Sequence, residues 1–115
     1  MTATVYKILP AALYEAARAA GVFHGAPVDL RDGFIHFSTA QQMRETARLH
    51  FAGESDLLLL SVDAAALGPA LVFEASRGGD LFPHLYGPLP LSAVTAVHPL
   101  PLGPDGLHQF PEVRS

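Results

Sequence analysis

The sequence predicts an α+β fold: a compact, mostly antiparallel sheet, curved or split, with two main helices. Two observations lead to this prediction. Short β-branched, aromatic or leucine-rich runs are typical of strands, and two longer segments begin and end with helix punctuation. Their order, β-α-β-α-β-β-β, favours an antiparallel sheet. No repeat or linker divides the 115 residues, so we expect a single domain over residues 1–115.

The first third of the chain predicts a strand, a helix and a loop. Residues 4–9, "TVYKIL", are β-branched and aromatic and indicate a strand. The following "PAALYEAARAAG" has Pro10 at its start and Gly21 just past its end, which is the usual asymmetry of a helix. Residues 21–33 are rich in turn formers and end in Asp-Gly, so we expect a loop there.

A second strand and helix follow that loop. "FIHFS", residues 34–38, alternates so that Phe34, His36 and Ser38 share one face. The next residues, "STAQ", fit a capping box in which Ser38 caps a helix and Gln41 reaches back. We expect this helix to run to about Phe51, with Gly53 as its stop.

The second half of the chain predicts strands separated by proline-rich and glycine-rich segments. "DLLLLSVD", residues 56–63, indicates a strand buried on both faces, and "AAALG" one short turn. "ALVFEA", residues 70–75, is another strand. Residues 75–90 hold three prolines and several glycines and predict a loop.

The end of the chain predicts one more strand and a tail. "SAVTAVHPL", residues 92–100, has the alternation of a strand. Residues 101–115 predict a tail that crosses the surface as coil, with a short strand around "LHQF".

Composition excludes several classes of function. A net charge of −4 gives no electrostatic attraction to nucleic acid or to an anionic membrane, so neither is expected as a partner. The absence of cysteine excludes disulfides and thiolate chemistry. The six histidines lack the close spacing of metal ligands, so no metal is expected. With no signal peptide and no bilayer-length apolar run, we expect a cytoplasmic protein.

His36 is the first candidate functional residue. It lies at a strand end shortly before a predicted helix N-terminus, where free backbone N–H groups favour an anion or a polar ligand. The alternative is a histidine that satisfies a backbone carbonyl and fixes the turn. Spacing alone leaves both open.

His84 and Tyr86, in "LFPHLYG", form the second candidate pair. Residues two apart in an extended segment point the same way, so both can line one pocket. Pro83 and Pro88 stiffen the backbone around them. The alternative is a rigid structural corner in which the Tyr86 hydroxyl caps a strand.

The segment "EASRGGD" brings charged residues close to that pair. Glu74, Arg77 and Asp80 surround two glycines, which favours a segment that closes or shapes a cleft. Arg77 has the donors to hold a phosphate or a carboxylate, although a charged loop residue is commonly just solvated.

Three segments together resemble a known family. "YKIL", "DGFIHFSTAQQ" and "SRGGDLFPHLYGPLPLSAV" are similar, in order and spacing, to the small bacterial proteins of domain-of-unknown-function family 952. That family has no established activity. The resemblance further implies a compact relative of the ADP-ribosyltransferase fold, whose members bind NAD in a cleft between two sheets.

The resemblance to the ADP-ribosyltransferases implies roles for particular residues. His36 matches a strand-borne residue that contacts the nicotinamide-side ribose, and Tyr86 or His84 matches one that packs on the nicotinamide. Many such enzymes have a later glutamate that supports an oxocarbenium-like transition state. This chain departs from that pattern, since after Tyr86 its only acidic residues are Asp105 and Glu112.

We therefore expect a cleft for NAD or a related nucleotide-like ligand, with NAD as substrate and action on its N-glycosidic bond. The predicted catalytic residues are His36, His84 and Glu74. The predicted ligand-binding residues are His36, Ser38, Thr39, Arg77, His84 and Tyr86. Two alternatives stay open: a non-catalytic module that binds a small ligand, and a structural or partner-binding domain.

Overall fold

The computed structural model describes residues 3–113, apart from the side chain of Arg77. The strands are β1 (Thr4–Pro10), β2 (Val22–Phe23), β3 (Ile35–His36), β4 (Leu57–Asp63), β5 (Leu71–Ala75), β6 (Leu81–Leu85), β7 (Leu89–Pro90) and β8 (Val94–Pro99). The α-helices are α1 (Ala11–Ala20), α2 (Pro27–Asp32), α3 (Met43–His50) and α4 (Ala64–Leu67). Short 3-10 turns lie at Gly68–Ala70, Arg77–Gly79 and Leu91–Ala93.

The strands form antiparallel sheets, as the sequence predicted. One sheet has the order β1-β4-β8 and another the order β3-β6-β5, and β2 pairs with β7. The leucine-rich β4 is the central strand of the first sheet and is buried on both faces, as its continuous apolar run predicted. The predicted α+β class with two main helices, α1 and α3, is confirmed.

The two three-stranded sheets meet at one point. Tyr6 of β1 and Ser38, just after β3, exchange two backbone hydrogen bonds of 2.8 Å each. Beyond this bridge the strands of the two sheets diverge, so the two sheets together form a split sheet. Side chains from both sheets face the space between them.

The core lies on both faces of β1, whose side chains alternate. Val5 and Leu9 belong to an apolar cluster that also holds Ile35 and Leu85 of the second sheet. Tyr6 and Ile8 belong to a second cluster under α3, together with Met43, Ala47, Leu57, Leu59 and Leu100. Met43 and Ala47, one helical turn apart, form the inward face of α3, and both are buried.

The prediction of a loop over residues 21–33 is wrong, because this segment contains β2 and α2. Pro27 opens α2 with a φ suited to a helix, and Gly33 ends it in the left-handed region at φ 87°. The Asp29 carboxylate accepts a hydrogen bond of 2.7 Å from the Ala26 backbone N–H at the helix start. At only six residues, α2 is too short for an apolar periodicity to reveal it.

The prediction of a loop over residues 75–90 is also wrong, because β6 and β7 lie there. Pro83 stands in the central strand of its sheet, where proline is unusual. Its carbonyl accepts from the Phe37 N–H at 3.0 Å, and the N–H and C=O of a strand residue point to the same neighbour. The hydrogen bond that Pro83 cannot donate is therefore lost on the side that faces the short β3, and the backbone hydrogen bonds between β6 and β5 are unaffected.

The start of α3 differs from the predicted capping box. The helix begins at Met43, and the Gln42 side chain, rather than that of Gln41, accepts from the Thr39 N–H at 3.0 Å. Ser38 does not cap the helix; its hydroxyl is 2.9 Å from the Thr46 hydroxyl. The helix ends at His50, with Gly53 in the left-handed region shortly after.

The described part of the tail, up to Val113, packs on the second core cluster through Phe110 and Val113. Leu102 and His108 form an isolated antiparallel bridge, close to the short strand expected around "LHQF". The His108 ring donates from Nε2 to the Glu54 carbonyl at 2.7 Å. Residues 114 and 115 of the predicted tail lie outside the described residues.

Candidate functional site

A cleft of about 640 Å³ opens where the two sheets diverge. Its walls come from β1, α2, the 36–38 segment, the end of α3 and β6. They consist of Tyr6, Lys7, Ile8, Val28, Arg31, Asp32, His36, Phe37, Ser38, Thr46, His50, Phe51, Ser76, Phe82 and His84. Six of these fifteen side chains are aromatic or aliphatic and nine are polar or charged; Lys7, Arg31 and Asp32 lie on β1 and α2. Apolar surface combined with several polar groups is found in small-molecule sites.

Two histidines face each other in this site. His36 and His84 are directly paired in the β3–β6 register, so both side chains leave the same face of the sheet. Their ring centroids are 5.8 Å apart, edge to face. Phe34 stacks on His84 at 4.0 Å and lies 4.5 Å from His36 and 5.3 Å from Tyr86. The alternation of "FIHFS" and the spacing of "HLY" thus place these four rings on one face.

Four charged or titratable residues, which we call the Asp29 cluster (Lys7, Asp29, Asp32 and His36), extend from the buried pair Lys7–Asp29 to the exposed Asp32. Lys7 is only 5% exposed, and its ammonium donates to both oxygens of Asp29, which is 2% exposed, at 3.0 Å each. The Asp29 carboxylate also accepts from the backbone N–H of His36 at 3.0 Å and from its ring Nδ1 at 2.7 Å. The Ala26 backbone N–H donates one more hydrogen bond to the Asp29 carboxylate.

The environment of Asp29 keeps this carboxylate ionised. Burial alone would raise its pKa, but the hydrogen bond from His36, the charge of Lys7 and two backbone N–H groups outweigh burial and lower the pKa to about 2. For Lys7 burial has the larger effect, and its pKa lies below the usual value although Asp29 opposes the shift. A lone cation would be costly in this position, so Asp29 is required to keep Lys7 inside.

His36 links Asp29 to the cleft wall. Its Nδ1 faces Asp29, and its Nε2 lies 2.9 Å from Oδ2 of Asp32, the last residue of α2. Ionised carboxylates only accept, so both contacts are hydrogen bonds when each ring nitrogen carries a proton. Arg31 Nε donates to the other Asp32 oxygen at 3.0 Å. The hydrogen bonds from Arg31 and His36 lower the pKa of Asp32.

A second group, which we call the Glu74 cluster (Glu74, His84 and Tyr86), lies on the other side of the histidine pair. One oxygen of Glu74 accepts from His84 Nδ1 at 2.8 Å and from the Tyr86 hydroxyl at 2.6 Å. Antiparallel pairing of Glu74 with Phe82 in the β5–β6 ladder brings its side chain next to His84. The hydrogen bonds from Tyr86 and His84 lower the pKa of Glu74, and Glu74 in turn raises the pKa of Tyr86.

The Nε2 atom of His84 is available to a ligand. Among the described side chains, none forms a hydrogen bond with it, and no buried side-chain nitrogen or oxygen there lacks a partner. Nε2 is therefore not completely enclosed, although the residue is only 5% exposed, and His84 belongs to the cleft lining. Because the Glu74 carboxylate accepts from Nδ1, that nitrogen carries the proton when the ring is neutral, and Nε2 is then an acceptor.

The other predicted site residues take varied positions. Ser38 lines the cleft. Thr39 lies in the turn before α3 and does not line it, and Tyr86 is half exposed and contacts the site through Glu74. The Arg77 side chain lies outside the described part of the structure, so its ligand-binding role stays a prediction. Glu74 accepts a hydrogen bond from His84 and does not itself line the cleft.

Sequence reasoning missed Lys7, Asp29, Asp32 and Phe34 as site residues. One signal was present: Lys7 is a lone cation inside "TVYKIL", a strand buried over most of its length, and a buried cation needs a partner. Its partner lies 22 residues away on a helix that was not predicted, so the sequence did not identify it.

Among residues 3–113, no three His, Asp or Glu side chains are grouped as a metal ion would require. In the same range, no helix has both the length and the apolar character needed to cross a bilayer.

Comparison with known proteins gives a family and a fold. The model of a family described as "protein of unknown function (DUF952)" matches residues 8–97. The crystal structure of protein CC0527 from Caulobacter crescentus is 52% identical, covers 92% of this chain and 93% of that chain, and superposes with a TM-score of 0.89. The solution NMR structure of CC0527, also 52% identical, covers 92% and 91% of the two chains with a TM-score of 0.84. A comparison with curated proteins found no match.

Proposed function

The chain belongs to the DUF952 family, whose description assigns no function, and we propose that it binds NAD or a related nucleotide in its cleft and hydrolyses the N-glycosidic bond. The likeness to the ADP-ribosyltransferase fold is part of this proposal. The single observation that carries it is the hydrogen bond from His84, which lines the cleft, to Glu74.

His84 has the arrangement of a general base. Its Nδ1 is held by Glu74 at 2.8 Å, which fixes the ring orientation and the tautomer, while Nε2 has no hydrogen bond to a described side chain and His84 lines the cleft. The lower pKa of Glu74 keeps the carboxylate ionised and able to stabilise an imidazolium. The Tyr86 hydroxyl holds the same Glu74 oxygen and limits its rotation.

The shape and lining of the cleft support a nucleotide-like ligand. Its volume of about 640 Å³ falls in the range of pockets that hold drug-sized molecules. Phe37, Phe51 and Phe82 offer apolar surface to a planar base, and His84 and Ser38 offer polar contacts to a ribose. Contacts of Thr39, Arg77 and Tyr86 with the ligand belong to the same proposal.

The proposed reaction is a hydrolysis with water as co-reactant. The bond between ribose C1 and the base nitrogen breaks, and its electron pair leaves with the base. A water molecule adds to C1, and His84 Nε2 accepts its proton. For NAD the products are nicotinamide, ADP-ribose and one proton.

The second candidate is a non-catalytic module that binds the same class of ligand. The observation that favours it is the saturation of His36, whose two ring nitrogens are already bound to Asp29 and Asp32. A histidine engaged in this way orients its neighbours rather than moving a proton.

Calorimetry with NAD, ADP-ribose and nicotinamide tests binding, and chromatographic detection of released nicotinamide tests turnover. We expect NAD to bind the wild-type protein, and His84→Asn to reduce turnover by about 100-fold or more, the usual share of one acid–base group. His24→Asn, at an exposed position outside the cleft, is the matched control. Binding without turnover would favour the module, and no binding of any of the three compounds would refute both candidates.

A further inference from the structure

His36 contacts a carboxylate at each of its two ring nitrogens. Its Nδ1 lies 2.7 Å from an oxygen of Asp29, and its Nε2 lies 2.9 Å from an oxygen of Asp32. The pKa of Asp29 is about 2 and that of Asp32 is lowered, so both are ionised at neutral pH. An ionised carboxylate has no proton to donate, so a neutral imidazole, with a single N–H, satisfies only one of the two contacts. The geometry therefore requires the imidazolium form of His36.

The charges around His36 favour one added proton. The charged or titratable groups that contact His36, directly or through one other side chain, are Lys7 of β1, Asp29, Arg31 and Asp32 of α2, Glu74 of β5 and His84 of β6. This set has three carboxylates but two cations besides the histidines. Of the two rings, that of His36 has an acceptor at each nitrogen, whereas that of His84 has one at Nδ1 among the described side chains. The balancing positive charge is therefore best accommodated on His36.

When His36 loses a proton, the proton comes from Nε2. Asp29 is only 2% exposed and also accepts from the His36 backbone N–H at 3.0 Å, so the N–H of Nδ1 stays in a hydrogen bond that water does not replace. Asp32 is exposed, and water can solvate its carboxylate instead. Without its proton, Nε2 presents a lone pair to the Asp32 oxygen at 2.9 Å, and two acceptors at this distance repel each other.

The loss of this contact acts on the last turn of α2. The start of the helix stays in place whatever the state of Nε2, because Lys7 and the Ala26 N–H bind Asp29. The end of the helix is tied to β3 through the hydrogen bond from His36 to Asp32. Arg31 is bound to Asp32, and both line the cleft. A displaced Asp32 therefore changes the charged part of the cleft wall that α2 provides.

We propose that protonation of His36 controls the α2 wall of the cleft: the imidazolium holds Asp32 and Arg31 against β3, and the neutral ring releases them. The step is one proton transfer, in which the N–H bond of Nε2 breaks and the proton passes to a solvent base. Histidine commonly acts in this way in proteins that respond to pH. The inference requires neither a nucleotide nor turnover, so it can fail or hold independently of the proposed function.

The first test follows the proton. Long-range ¹H–¹⁵N NMR of the histidine rings distinguishes a protonated ring nitrogen from an unprotonated one. At the acidic end of a pH series, both nitrogens of His36 should give the shifts of N–H groups. As the pH rises, Nε2 should change to the shift of an unprotonated nitrogen while Nδ1 keeps its proton. Loss of the Nδ1 proton first would overturn the inference. The exposed variant His24→Asn is the control and should leave this titration unchanged.

The second test follows the helix. The N–H groups of Gly33 and Phe34 both donate to the Asp29 carbonyl at the end of α2, and their protection factors in hydrogen exchange correct for the intrinsic effect of pH. These factors should fall about tenfold in the wild-type protein as Nε2 loses its proton, the loss typical of one hydrogen bond to a charged group.

A matched pair of variants shows whether this fall depends on Asp32. Asp32→Asn should remove it, because an amide can accept from protonated Nε2 and donate to neutral Nε2. The exposed control Asp105→Asn should keep it. Circular dichroism melting confirms that both variants are folded. Constant protection in the wild-type protein, or the same fall in Asp32→Asn, would show that His36 does not control α2.

Discussion

His36 and His84 stand opposite each other in the β3–β6 ladder with their ring centroids 5.8 Å apart, and each is bound on its far side to carboxylate. The two are not equivalent. His36 has carboxylates at both nitrogens, whereas His84 has one at Nδ1 and, among the described side chains, no hydrogen-bond partner at Nε2. The pair thus combines one ring held at both nitrogens with one ring held at a single nitrogen.

Replacing Asp29 by asparagine should strongly destabilise the fold. The change leaves the ammonium of Lys7 buried without an opposite charge, and breaking a buried pair in this way costs about 3 kcal/mol or more. Urea denaturation monitored by circular dichroism measures the free energy of unfolding. The exposed Asp105→Asn is the control and should change it by less than about 0.5 kcal/mol. A loss below about 1 kcal/mol in Asp29→Asn would show that Lys7 finds another partner.

Removing Lys7 and the charge of Asp29 together should cost less than the sum of the single changes. Lys7→Met keeps an unbranched side chain that is one atom shorter and removes the charge, and the double variant Lys7→Met/Asp29→Asn leaves neither charge in the interior. The double-mutant cycle should give a coupling free energy of about 1 to 3 kcal/mol. Additive single effects would contradict the contact between the two residues at 3.0 Å.

The stability advantage of Asp29 should disappear in acid. Its pKa is about 2 in the folded chain, against an ordinary value of 3.8. The depressed pKa adds stability that is fully present above pH 3.8 and is lost as the pH falls through about 2. The gap in unfolding free energy between wild type and Asp29→Asn should therefore shrink by up to about 2 kcal/mol over that window. Urea titrations at several pH values measure it, and a constant gap would argue against an ionised Asp29.

The phenol of Tyr86 should ionise at a higher pH than an ordinary tyrosine. Its hydroxyl donates to the Glu74 carboxylate, which stabilises the neutral phenol and raises its pKa above 10.0. This adds stability that is present below pH 10 and is lost as the pH rises through the folded pKa. The phenolate absorbance of wild type minus Tyr86→Phe reports the titration. Glu74→Gln should return it toward the ordinary value, whereas Glu15→Gln, on the exposed face of α1, should not.

Much of the fold was predictable because its main strands carry strong local patterns. The leucine-rich run of β4 and the alternation around His36 depend only on neighbouring residues, and the structure confirms both. The short α2 and the proline-containing β6 were missed, since their stability comes from contacts with Lys7, Phe37 and β5. Contacts between residues that are distant in the sequence cannot be recognised from the residues next to each other in the chain.

The residues of the candidate site also fall into two groups, those that local spacing indicates and those that depend on tertiary contacts. That His84 and Tyr86 point the same way was predictable from their spacing, because two residues on one strand face need no tertiary information, and both contact Glu74. The order of the chain argued against Glu74 as the counterpart of a later glutamate, yet strand pairing brings it within 2.8 Å of His84. Asp29 and Asp32 were missed since their role depends on where α2 packs.

The bridge between Tyr6 and Ser38 bears on how a ligand enters. In the described chain, strand pairing between the two sheets rests on this one residue pair, and the cleft opens beside it. Moving the two sheets apart at this point would break two backbone hydrogen bonds that are shielded from water, since Tyr6 and Ser38 are both buried. Widening the cleft beside the bridge therefore carries an energetic cost that the backbone itself imposes, independent of the side chains that line the cleft.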